Sequence, residues 1–480
     1  MPDDIPHQAN LTRQPLSKLT KIVYGAGDWG LASWGTLRQI FYAIFLTDVV
    51  GLDARLASFA ALVGVLWDAI NDPLVGMISD RVETRWGRRR PFLLIFAIPF
   101  GLAFLLMWWA PPWENQLVLA AHITLAYILS DTLQTLVAVP FYTLTPEMTP
   151  DYDERTSLTS YRMFFNLVAS LTLAVSAPII KNTALAAGYT AGQSYLLIAG
   201  LFGGSGVLPF LVMFFIVRER HPEPSRESPP LRDIAQTAWA NVPFRFATGL
   251  YMLNWMTVDL VALMLPFFIT YWVAKGNLTA QVQVFGADIA LESLILGVMF
   301  ITAIAALPLW NWLSQRTSKR LAYVYGMSFW AVVQLLIIFI QPGQLILILT
   351  LTVLAGISIS TAHVLPEAIF PDVIEWEELR TRRRHEGVYY GAKNFLRKMT
   401  GAVSIFLALQ ILGWFGYQSP PSGAAFFQQP ADAVLAIRIL TGPFGAVLLF
   451  TAVVVAWFYP LTREKHTRIR RLLARRENRA

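Results

Sequence analysis

The sequence predicts an all-α membrane protein of twelve crossings, arranged as two six-helix halves with both termini in the cytoplasm. Three observations predict it. The 480 residues are 55% apolar and 14% charged, with 16 Trp and 31 Phe, well away from the balance of a soluble domain. Apolar runs of the roughly 20 residues that a helix needs to cross a bilayer recur twelve times. The basic residues alternate with those runs. Thirty Lys and Arg fall on the side of the two tails, and only Arg55, Lys181 and Lys275 fall opposite, so the positive-inside rule places both tails in the cytoplasm.

Taken in order, the predicted spans are 24–47, 56–79, 91–110, 117–141, 160–180 and 194–217, then 246–273, 289–313, 321–340, 345–369, 388–415 and 433–459. Span 2 contains Leu66-Trp67-Asp68-Ala69-Ile70-Asn71-Asp72-Pro73. Its two acids and amide stand at i, i+3 and i+4 and so share a helix face. Span 3 ends near Trp108, Trp109 and Trp113, an interfacial aromatic belt. Residues 218–243, with His221-Pro222-Glu223-Pro224 and Pro229-Pro230, form a cytoplasmic linker between an N-terminal bundle (1–217) and a C-terminal bundle (244–460). Residues 461–480 are a basic cytoplasmic tail, solvated or lipid-facing. A weak repeat supports the division. The Asp80-Arg81 and Arg85 to Arg90 loop after span 2 corresponds to Arg316 to Arg320 after span 8, and Asp151 to Thr156 after span 4 to Asp372 to Thr381 after span 10. Two matched six-helix halves are the architecture of major facilitator transporters.

Several functions are excluded. With no Cys there are no disulfides, thiol nucleophiles or Cys-based metal sites. The six His form no HExxH pair, and there is no P-loop or nucleophile–base pairing, so an enzyme is not expected. Met1 to Lys21 has no apolar core of a cleaved signal peptide. The net charge of +7 belongs to topology, not to nucleic-acid binding. The chain is expected in a plasma membrane, such as a bacterial inner membrane, as a monomer among lipids.

A charged group at a membrane centre costs about 2.5–3.5 kcal/mol by insertion scales, and two acids four residues apart also repel. A bound cation removes both penalties at Asp68 and Asp72.

The chain also resembles the glycoside-pentoside-hexuronide:cation symporters, whose best-known member carries melibiose with sodium. The resemblance rests on Tyr24-Gly25 and Gly27-Asp28, Thr47 to Leu52, Trp67 to Pro73, Arg85 to Arg88, Glu154-Arg155-Thr156 and Gly387 to Gly391. It implies the major facilitator fold and symport by alternating access. It also implies a cation site at Asp68, Asn71, Asp72 and Thr135, with Lys398 nearby as a group that neutralises the acids when the cation leaves. Sodium, or a proton, would be the coupling ion, with no other cofactor.

The substrate site departs from that pattern. The two carboxylates with which the melibiose carrier grips its sugar correspond to Ala32 and Ala138. A methyl group leaves sugar hydroxyls unpaired, at about 1–3 kcal/mol each. Tyr142, Arg162, His363, Lys393 and Asn394 stand at the remaining substrate positions. Arg38, a cation inside span 1, has Asp131 in span 4 as an expected partner, the latter also a candidate coupling residue. Arg38, Arg162, Lys393 and His363 together suggest a cationic cavity suited to an anionic sugar derivative. The substrate expected is a sugar or glycoside; a lysolipid, as in a eukaryotic branch of the family, and proton-coupled transport are the alternatives. Asp80, Arg81, Arg85, Arg88, Glu147, Asp153, Glu154 and Arg155 are expected to pair across the halves when the carrier opens outward and to separate when it opens inward.

Overall fold

In the computed structural model the described residues are 16–149, 151–219, 239–381, 386–461 and 463–477. Their helices are α1 (Lys18–Ile44), α2 (Ala54–Arg81), α3 (Arg90–Met107), α4 (Gln116–Met148), α5 (Tyr152–Ala186) and α6 (Ala191–Ile216), then α7 (Val242–Phe267), α8 (Leu291–Arg316), α9 (Lys319–Leu336), α10 (Leu345–Thr381) and α11 (Glu386–Trp414). The last crossing is built from α12 (Ala431–Thr441) and α13 (Pro443–Trp457), broken at Gly442-Pro443, and α14 (Arg463–Glu477) follows it. Single π-helical turns, Phe45–Val49 and Phe268–Val273, close α1 and α7 at the same end of the bundle.

Local chemistry sets the boundaries. Asp53 accepts from the backbone of Arg55 and Leu56 to start α2, and Asn115 caps α4 in the same way. Thr190 and Gln193 form a reciprocal capping box at α6. The crossings of α4, α5 and α10 outrun their apolar runs. They reach 33, 35 and 37 residues, because polar helix-compatible residues continue the pattern beyond the hydrocarbon layer. Of the expected aromatic belt, Trp109 and Trp113 are exposed, whereas Trp108 is buried and stacks on Tyr195 at 5.4 Å.

Among the described residues, eleven helices are long and apolar enough to cross a membrane. The exception among the predicted spans is α1, which has the length but carries Asp28, Arg38 and Gln39. Sixteen of its 27 residues are buried, and it packs along α5, α6 and α7, so its polar groups meet other helices. Gly30 makes this possible. A Cβ there would lie 2.8 Å from the Gly206 carbonyl oxygen of α6, and one on Gly206 would lie 2.6 Å from the Gly30 Cα. The two backbones touch, as small residues allow between membrane helices.

One element was not anticipated. Between α7 and α8 the chain forms a hairpin, β1 (Gln281–Val284) and β2 (Ala287–Ala290), with Val284 opposite Ala287. Phe285 and Gly286 both have positive φ, 50° and 84°, as a two-residue turn of the I′ type requires. The linker expected at 218–243 lies largely outside the described residues.

The basic tail differs from a solvated segment. α14 lies against α10. Ile469 is buried and Leu473 packs on the core of the second half, while His466 Nε2 is 2.8 Å from Glu375 and 3.3 Å from Asp372. The physical reason is amphipathicity: Ile469 and Leu473 stand one helical turn apart on the docked face.

The halves meet along α2 and α11, α5 and α8, and α1 and α7. At the hairpin end, Tyr271 and Tyr417 both donate to the Asp48 carboxylate across the interface. Beside them Lys181 pairs with Glu292 at 3.1 Å, Ser293 donates to the Val175 carbonyl at 2.7 Å, and Gln410 donates to Ser58 at 2.7 Å. These bonds close the outer end. Replacing Asp48 with Asn removes the charge that both tyrosines bind, and charge-assisted bonds contribute about 1.5–3 kcal/mol each. The expected result is an outer end that opens about 30-fold more often, taking about 2 kcal/mol for the loss. Spin labels on Tyr189→Cys and Phe285→Cys, in this cysteine-free chain, would report it as a larger long-distance population. An unchanged distribution would show that Asp48 does not hold the end shut.

Candidate cation and substrate site

About two-thirds of the way along α2, Pro73 lacks the N–H that would bond to the Ala69 carbonyl and so loosens the helix beside the acids. The Lys398 ammonium of α11 reaches across the interface into this region. It lies 2.6 Å from Asp68 Oδ1 and 2.6 Å from Asp72 Oδ2, and 3.3 Å from the Asp68 carbonyl. Thr135 Oγ1 of α4 donates to the other oxygen of Asp72 at 3.2 Å. Two of the four predicted cation ligands, Asp68 and Asp72, therefore meet one positive charge, and a third, Thr135, bonds to one of them. The fourth, Asn71, is buried beside them but donates to Asp131 at 3.4 Å. The other Asp131 oxygen is buried and has no hydrogen-bond partner among the described residues.

Arg38 does not pair with Asp131, contrary to the expectation from spacing. Its guanidinium donates to Tyr127 at 2.6 Å and lies 4.7 Å from the Trp34 ring centroid. The aromatic ring and hydroxyl, already in the core, meet the cation before the carboxylate does.

The remaining substrate candidates fall into two groups. In the first half, Arg162 pairs with Asp28 at 2.7 Å and stacks 4.3 Å from the centroid of the exposed Tyr142. In the second half, Lys393 pairs with Glu367 at 2.6 Å. Its ammonium is 5.2 Å from the Tyr251 and Phe370 rings and 5.3 Å from that of Tyr390. His363 packs edge-on to Trp255, 5.1 Å away, and its Nδ1 lies 3.1 Å from the Ile359 carbonyl oxygen. Trp255 in turn stacks with Arg397, whose fork binds Asp259 at 2.6 and 2.8 Å. Gln39 of α1 also donates to Asp259, at 2.9 Å, across the interface. Asn394 is exposed on α11. Arg162 and Lys393, half of the expected cationic surplus, thus carry carboxylate partners, and the region is close to charge balance.

The cytoplasmic clusters pair within the first half. Arg89 binds Asp80 and, at 3.2 Å, Glu147. The carboxylate of Glu219 caps α3, accepting from the backbone of Arg88, Arg89 and Arg90 at 2.7, 2.9 and 3.0 Å. Arg88 donates to the Asp80 carbonyl, Arg155 to that of Thr149 at 2.9 Å, and Glu154 pairs with Lys21 at 3.3 Å. Arg85 stacks 4.9 Å from the Trp86 ring centroid, while Arg81 and Asp153 are exposed.

Sequence reasoning missed Asp28, Asp48, Arg89 and Glu219 as functional or gating candidates and left Asp259 and Glu367 unplaced. An acid in a membrane helix is itself a signal that a cation lies nearby, and Asp28, Asp259 and Glu367 each carry it.

Among the described residues, twelve crossings in two halves, closed at one end and joined by ion pairs between α2 and α11, are the architecture of a multi-pass membrane transporter. The family model described as MFS/sugar transport protein matches residues 23–463, and the chain belongs to that family. It is similar to the uncharacterized symporter sll1374 of Synechocystis sp., 30% identical over 98% of this chain and 99% of the relative. It is 27% identical to the sodium-dependent lysophosphatidylcholine symporter 1 of Gallus gallus, over 95% of this chain and 88% of that one. The putative glycoside/cation symporter YagG of Escherichia coli is 28% identical over 93% of each chain. The crystal structure of the nucleoside transporter NupG has the same fold, with a TM-score of 0.63 at 10% identity, over 92% of this chain and 99% of that one.

Proposed function

We propose that the chain is a cation-coupled symporter, with a sodium-type ion held by Asp68, Asp72 and Thr135 and supported by Asn71. The observation that carries this reading is the Lys398 ammonium between the two carboxylates. The acids tolerate their position by sharing one positive charge, and carboxylate, hydroxyl and backbone carbonyl oxygens are the hard donors that such an ion prefers. Lys398 belongs to the opposite half, so an ion that takes its place also severs a tie between the halves. Binding at this site and the open–closed equilibrium are then linked, and linkage is reciprocal. The closed outer end corresponds to the inward-facing state, in which the internal cation replaces the transported one.

The substrate on this reading is a sugar, glycoside or sugar acid that meets Arg162 and Tyr142 on one side and Lys393, His363 and Asn394 on the other. The acid form would exchange its own carboxylate for those of Asp28 and Glu367. A second reading, sodium-coupled lysolipid transport, is favoured by buried Ala32 and Ala138, which offer nothing to sugar hydroxyls, and by the balanced charge pairs, which suit a zwitterion.

Uptake into proteoliposomes of a neutral glycoside, a hexuronide and lysophosphatidylcholine separates the readings, each with an inward sodium gradient or with an inward proton gradient alone. Sodium-dependent accumulation of a glycoside or hexuronide is expected. Accumulation of lysophosphatidylcholine alone would favour the second reading. Proton-driven uptake indifferent to sodium would replace the ion.

A further inference from the structure

We propose that the outward face of α14 is a binding surface for anionic phospholipid headgroups. The helix is fixed in orientation by its docked side, where Ile469 is buried and His466 bonds to Glu375 at 2.8 Å. Opposite that side, Arg468, Arg471 and Arg475 stand at i, i+3 and i+7, one stripe of a helix. All three are exposed, and none of them has an ion-pair or hydrogen-bond partner among the described residues. Glu464, one turn before Arg468, is an exposed acid on the same face and offsets one charge. Leu472, adjoining the stripe, is 38% exposed.

Position supplies the second argument. α14 begins six residues after α13 ends at Trp457, a connection of at most about 20 Å. Trp457 and Phe458 are 59% and 66% exposed, and Arg320 lies 6.0 Å from the Trp457 ring centroid, the aromatic–basic mixture of a membrane interface. A helix tethered there presents unneutralised guanidiniums within reach of headgroups, and the cytoplasmic leaflet carries the negative charge to meet them. The consequence reaches the transport machinery, because the same helix clamps the cytoplasmic end of α10.

The test uses the full chain with Leu472→Cys, its single thiol carrying an environment-sensitive fluorophore. It is reconstituted into vesicles of phosphatidylcholine alone or with about 30% phosphatidylglycerol. A blue-shifted emission is expected only in the anionic vesicles. The shift should disappear in about 1 M salt, where the screening length falls to about 3 Å. It should also disappear in the variant with Arg468→Gln, Arg471→Gln and Arg475→Gln, and return when the same three positions carry Lys. Equal emission in both vesicle types overturns the proposal. So does an equal response of the detergent-solubilised protein to dissolved glycerol phosphate, which would mark a site for a free anion.

Discussion

Asp72→Asn is expected to abolish sodium-driven accumulation while leaving a folded protein. The carboxylate has two assignments: one oxygen meets Lys398 at 2.6 Å and the other accepts from Thr135 at 3.2 Å. The amide keeps the shape and one acceptor but removes the charge. Asp68 alone then balances Lys398, so an incoming ion gains no net attraction by displacing it. Losing a charged ligand at a partly exposed position weakens ion binding by about 2 kcal/mol, near 30-fold. The side chain is 41% exposed, so the substitution strands no buried group and folding should survive. Sodium titrations of substrate uptake, with the melting temperature as a control, measure both parts. Accumulation with an unchanged sodium dependence would move coupling away from α2.

The fold was largely legible because bilayer crossing imposes a length and an apolar content on each helix, and the basic residues mark their ends. The helix that escaped the simple apolar criterion, α1, did so for a physical reason. Its face toward the other helices is a protein interior, where Asp28 can meet Arg162 and Gln39 can meet Asp259. The acids of α2 were legible because their spacing alone puts them on one face. Which cation each acid meets was not legible, since the partners come from helices distant in sequence. Lys398 lies 330 residues from Asp68, and Arg38 selects Tyr127 where spacing offered Asp131. Asp48 sits in a stretch that matched the family pattern, yet its role at the outer end depends on Tyr271 and Tyr417, which no local periodicity joins to it. The docked side of α14 was visible in Ile469 and Leu473, but the charge of the segment drew the reading toward solvent or lipid.

Lys398→Met separates net transport from exchange. Methionine keeps the length of the stem but removes the ammonium, leaving Asp68 and Asp72 facing each other with no internal countercharge. Breaking a buried pair costs about 3–5 kcal/mol. Here the side chains are 16%, 41% and 23% exposed, and water reduces the penalty to about 2 kcal/mol. That penalty falls on the empty carrier alone, because the loaded carrier has an ion where the lysine was. The ion is therefore held about 30-fold more tightly, and the empty carrier, which must reorient to complete a cycle of net uptake, becomes scarce. Net sodium-driven uptake should fall at least about tenfold, while exchange of labelled for unlabelled substrate in saturating sodium, which requires only the loaded form, should stay within about twofold of the parent. Equal loss of both activities would make Lys398 a structural strut between the halves. Preservation of both would mean that the acids are neutralised by something other than the lysine when the ion departs.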